Sequence, residues 1–142
     1  MPVEALGSDH VHAVLMPSRH SSGHSVDDAQ ALVDAQGIDA HLLPIEEAHV
    51  ALANVLTEGI EGGPAGVTDE NLQSRIRGLL LMGLSNAHGW MVLTTGNKSE
   101  LAVGYCTLYG HMSCGLAEIS DRPKTKADIP AKECHRERQI AT

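Results

Sequence analysis

Thr95 and Glu100 lie five residues apart in the stretch TTGNKSELAVGYCTLYG, residues 94–110, and their types and spacing suit nucleotide chemistry. An apolar run precedes them, which places Thr95 at the end of a buried strand with Gly96 and Asn97 forming a tight turn. At such a position a hydroxyl and backbone donors could face a ligand at the sheet edge. Glu100, in the first turn of the helix that follows, could hold a divalent cation, because Mg2+ commonly takes one or two carboxylates together with substrate phosphates. The same residues also have a plain structural reading, in which Thr95 caps the helix and Glu100 complements its dipole. Spacing alone leaves both readings open.

Other residue types that often carry chemistry are less organised. Cys106, Cys114 and Cys134 make an odd count without CxxC spacing, so neither a disulfide frame nor a zinc knuckle is indicated. Nine histidines are many, but His10, His12, His20 and His24 show no matching carboxylate constellation and read as solvated or incidental. GIEGGPAGVT, residues 59–68, is rich in glycine yet carries no GK[ST] and reads as a connection rather than a phosphate loop. A net charge of -8, with basic residues clustered only near the terminus, argues against a nucleic-acid surface. No apolar run approaches the roughly 18 residues of a membrane span, and residues 1–7 lack the layout of a secretion signal, so a cytoplasmic location is expected.

The elements that must position these residues follow from periodicity. VHAVLMP, residues 11–17, reads as a buried strand stopped by a proline, and a helix is expected over 25–36 with Ser25 as N-cap, Asp27 and Asp28 in its first turn and Gly37 as its stop. A second strand is expected over 38–44. The next helix places Ile45, Ala48, Leu52, Val55 and Leu56 on one face. Thr68 reads as the N-cap of a long helix ending near Gly89, with Leu72, Ile76, Leu79, Leu80 and Leu84 as its apolar stripe, followed by a strand over 90–95. Alternating strands and helices predict an α/β fold with a mostly parallel sheet and ligands beyond the carboxyl ends of the strands. At 142 residues one folding unit is expected, and with 2% aromatics and no Phe its core rests on aliphatic side chains.

VLTTGNKSELAVGYCTLYG resembles the signature of the NAD+ synthetases, closer to the glutamine-dependent than to the ammonia-only form. VHAVLMPSRHSSGHSVDDAQALVDAQGI and ENLQSRIRGLLLMGLSNAHGW extend the match in the family's order over most of residues 10–126. The resemblance implies a Rossmann-like, adenine nucleotide α-hydrolase-like fold: a parallel sheet with flanking helices. It also implies a ligase, an NAD+ synthase, that amidates deamido-NAD+ through an acyl-adenylate, with ATP and Mg2+, and with ammonia drawn from glutamine. Position by position, Thr95 resembles the ATP-contacting threonine and Lys124, in RPKTK, a lysine that reaches ATP phosphate. Glu100 resembles the acidic residue beside metal and deamido-NAD+. Asn71 and Arg75, in ENLQSR, resemble the pair that contacts deamido-NAD+, and their spacing of four puts both on one helix face. No catalytic residue is assigned. A homodimer through the helix over 68–87 is also implied.

The chain departs from the family pattern in three places. The SGGxDS pyrophosphate loop is absent, YGHMSCG (residues 109–115) has His111 and Cys114 where the family has an acid and a glycine, and Pro130 interrupts the helix expected near the end. The expectation is a partial synthetase domain over residues 1–142, with 127–142 a degenerate tail, and no turnover by the chain alone. A non-catalytic dimerising or assembly module derived from the same domain is the alternative.

Overall fold

The structure, a computed structural model, describes residues 2–94, 107, 110, 116 and 117. The chain divides into two compact units, Met1–Gln73 and Ser74–Thr142. The first begins with a short helix, α1 (Pro2–Leu6), which the sequence reading did not anticipate, and a 3-10 turn at Ser8–His10. Then come β1 (His12–Leu15), α2 (Gly23–Gln36), β2 (Asp39–Leu42) and α3 (Glu46–Thr57), and α4 (Val67–His88) starts here and runs on into the second unit. β1 and β2 pair in parallel, with His12 opposite Asp39 and Leu15 opposite Leu42. Parallel neighbours need a crossover, and α2 supplies it.

Helix ends were legible only in part. α2 stops at Gly37, which adopts φ 61 and donates its N–H to the Asp34 carbonyl, as expected of a left-handed cap. Its start is different: the cap is Ser22, whose Oγ accepts the Ser25 N–H at 3.2 Å, so Ser25 is the third helical residue. Asp27 and Asp28 therefore stand beyond the first turn. α4 begins at Val67, one residue before the expected boundary, behind Gly66 at φ 56; Thr68 is its second residue and not its cap. At the other end Gly89, at φ 70, donates to the Ser85 carbonyl.

Burial corrects two expected apolar faces. Ile45 is 0% exposed at the entrance to α3, but Val55 is 67% exposed and Ala48 and Leu52 also face solvent. The inward position four residues after Ile45 belongs to His49, at 4% exposure. On α4, Ile76 is buried while Leu79 is 71% exposed. Apolar periodicity alone does not settle which residues turn inward, because a polar residue can take the inward place once its hydrogen bonds are met.

In the second unit, β3 (Leu93–Thr94) pairs in parallel with β4 (Leu116–Ala117). Of the strand expected over 90–95, the described part begins at Leu93; Trp90 instead stacks its ring on His88 at 4.2 Å, and its carbonyl accepts the Ser85 hydroxyl at 2.6 Å. Gly110 donates to the Thr107 carbonyl and lies against Ser74 of α4. A Cβ there would collide with the Ser74 Oγ and stand 3.1 Å from the Ser74 backbone carbon. Among the described residues no helix is long and apolar enough to cross a membrane.

Two glycines separate steric from conformational effects. Gly110→Ala is expected to destabilise by roughly 1–3 kcal/mol through overpacking. Gly83→Ala, in mid-helix with nothing near its added Cβ, is expected to stabilise by about 0.5–1 kcal/mol. Urea unfolding of the two variants reads both signs.

Candidate functional site

The carboxyl ends of β1 and β2 lie side by side because the strands are parallel. Pairing continues past them: the Leu43 N–H donates to the Leu15 carbonyl at 2.8 Å and the Ile45 N–H to the Pro17 carbonyl at 3.0 Å. Buried Ile45 thus anchors the start of α3 against the loop after β1. That loop is folded on itself, since the Ser18 N–H donates to the Ser21 hydroxyl and the Ser21 N–H to the Ser18 carbonyl.

Two polar contacts tie this loop to the helices. The Arg19 guanidinium pairs with Glu46 in the first turn of α3, and the Arg19 N–H donates to Glu46 Oε2 at 3.2 Å. The hydrogen bond from Arg19 holds the Glu46 carboxyl below the usual carboxylate range, and Glu46 raises the arginine in turn. One turn later, His49 Nε2 stands 2.7 Å from Asp69 Oδ1 on α4, and Gln73 Nε2 donates to Asp69 Oδ2 at 3.0 Å. An ionised carboxylate only accepts, so Nε2 carries the proton of that bond. Desolvation pushes the Asp69 carboxyl up, but the hydrogen bonds from His49 and Gln73 outweigh it and leave it lowered.

Of the residues singled out from the sequence, Asn71 and Arg75 are on α4, four positions apart, Asn71 half-buried and Arg75 exposed. Arg77 is half-buried, and burial lowers its guanidinium pKa. Thr95, Glu100 and Lys124 lie outside the described residues. Beyond the described strand ends lie instead Arg19 and Glu46, and between α3 and α4 the largely buried set His49, Asp69 and Gln73, none of them a site candidate from the sequence. His49, which is buried and bonded to Asp69, is neither solvated nor incidental, unlike the expectation drawn from His10, His12, His20 and His24. Asp69 and Gln73 at a spacing of four were a readable pair, but the partnership of His49 with a residue twenty positions away had no local signal.

The arrangement can orient groups and fix charge at a sheet edge. It does not suit a metal, since Glu46 is taken by Arg19 and Asp69 by His49 and Gln73. Among the described residues no group of three or more His, Cys, Asp or Glu is placed to hold one.

Residues 1–136 match the family model described as NAD synthase. The chain is 49% identical over 138 residues to a glutamine-dependent NAD(+) synthetase of Synechocystis, a match covering 97% of this chain and 25% of the relative. It is similar to the solved glutamine-dependent NAD+ synthetase of Acinetobacter baumannii in complex with ADP, with TM-score 0.84 and 46% identity over 87% of this chain and 23% of that one. For the NH3-dependent NAD synthetase of Campylobacter jejuni the TM-score is 0.79 at 29% identity, covering 93% of this chain and 55% of that one. The chain spans about a quarter of the length of the curated relatives it matches. The Rossmann-like fold and the stronger likeness to the glutamine-dependent form agree with the sequence resemblance.

The lowered Asp69 carboxyl has a pH signature. Because its folded pKa is depressed below the ordinary 3.8, its contribution is present above that value and is lost as pH falls through the folded one. Asp69→Asn is expected to be less stable than the wild type at pH 7, with the gap closing as pH falls below about 4. Urea unfolding of both proteins across that range checks it; a gap that does not change with pH would contradict the assignment.

Proposed function

This chain belongs to the NAD synthase family, and from that premise we propose that it supplies part of a ligase site that amidates deamido-NAD+ with ATP. The identity with glutamine-dependent synthetases along nearly the whole chain carries the reading. A carboxylate resists nucleophiles, so it must first be activated. The nicotinate carboxylate oxygen attacks the α-phosphorus of ATP, the bond to pyrophosphate breaks, and an acyl-adenylate forms. Ammonia, derived from glutamine, then attacks the acyl carbon; the bond to AMP breaks and the ammonia nitrogen gives up a proton to solvent.

In this reading Thr95 and Lys124 contact ATP, Asn71 and Arg75 contact deamido-NAD+, and Glu100 serves substrate and Mg2+. The two residues on α4 have suitable chemistry, because an exposed guanidinium can meet phosphate or carboxylate, and an amide can both donate and accept. The setting is the cytoplasm, and two copies associate through α4. The apolar surface of that helix, with Leu79 71% and Met82 38% exposed, favours association. It equally supports the second reading, a dimerising or assembly module that turns nothing over.

Calorimetric titration with Mg-ATP and deamido-NAD+ separates the two. The ligase reading expects both to bind, Thr95→Ala and Lys124→Met to weaken ATP, and Asn71→Ala and Arg75→Ala to weaken deamido-NAD+ by roughly tenfold or more. A folded dimer that takes up neither nucleotide would leave the assembly module.

A further inference from the structure

His49 is a costly residue for its position. An apolar side chain four residues after Ile45 would pack there without burying ring nitrogens, yet the imidazole is 4% exposed and its Nδ1 is buried with no hydrogen-bond partner among the described residues. Its polar contact among those residues is the 2.7 Å bond from Nε2 to Asp69. Packing does not account for the histidine; the bond to α4 does.

That bond closes a connection which has little stiffness of its own. Between α3 and α4 the chain passes through Gly62, Gly63 and Gly66, all at positive φ. Glycine linkers tolerate many conformations, so the angle at which α4 departs must be set by contacts outside the loop. Asp69 and Gln73 are one turn apart on one side of α4 and are joined by their own 3.0 Å bond. Asn71 sits midway between them in sequence, about 200° around the helix from each, on the opposite side. Whatever fixes the side bearing Asp69 and Gln73 fixes the rotation of the helix, and hence the direction of Asn71.

We propose that His49, Asp69 and Gln73 form a latch that sets the rotation of α4 and so positions Asn71 for the nicotinate dinucleotide. The inference rests on the reading above in which Asn71 contacts deamido-NAD+. His49 is a positioning residue: it acts through Asp69 and Asn71 and touches no substrate.

The test titrates the wild-type chain, His49→Phe and His49→Gln with Mg-ATP and, separately, with deamido-NAD+. Phe keeps the ring volume and removes the donor, whereas the Gln amide nitrogen can still donate to Asp69. The latch expects His49→Phe to weaken deamido-NAD+ by about tenfold while ATP affinity stays within about twofold, and His49→Gln to recover most of the loss. Unchanged deamido-NAD+ affinity in His49→Phe, or an equal loss for both ligands that Gln does not rescue, overturns the latch alone. A wild-type chain that binds neither ligand overturns the ligase reading and the latch with it. Should His49→Phe fail to fold, Gln73→Met, which removes only the donor on Asp69 Oδ2, makes the same comparison with the same expected and overturning results.

Discussion

The parallel pairing of β1 with β2 is the constraint from which the described site follows. Two parallel strands end at the same edge, so the loops that leave them must share space. Here the pairing runs past the strands themselves, through the amides of Leu43 and Ile45 to the carbonyls of Leu15 and Pro17. Fully buried Ile45 then fixes where α3 begins, and Glu46 arrives beside Arg19. A slip of one residue in register would move that contact by about 3.3 Å and turn every strand side chain to the other face.

Asp69 is the second point on which several elements converge. Removing a carboxylate from water is unfavourable, and two donors offset it: His49 from α3 and Gln73 from α4 itself. The outcome is a carboxyl that stays ionised, together with a helix pair held across a glycine-rich connection. Polar satisfaction, more than apolar area, links α3 to α4 here. The exposure of Leu52, Val55 and Leu79 shows how little those helices follow a simple apolar stripe.

Much of the architecture was legible because backbone chemistry is local. Gly37 and Gly89 end their helices at positive φ, and Pro17 follows the first strand, each for reasons carried by one residue. The N-cap of α2 was not legible, since four serines crowd residues 18–25 and only the geometry selects Ser22. The positions of Asn71 and Arg75 on α4 follow the helix that periodicity predicts. His49 escaped because its meaning depends on Asp69, twenty residues on, and periodicity sees only neighbours along one helix. Gly110 ends a contiguous motif, but its close approach to Ser74 exists only once the chain has folded.

The sequence by itself determined the alternation of strands and helices, the parallel pairing, the helix stops and the family, because these rest on short-range sterics, on side-chain periodicity and on motifs that stay contiguous along the chain. Tertiary structure decided which of the regularly spaced residues are buried, which serine caps α2 and which charges meet. Those outcomes depend on residues brought together from separate segments, where one hydrogen bond to a distant carboxylate is enough to draw a histidine inward and leave a leucine in water.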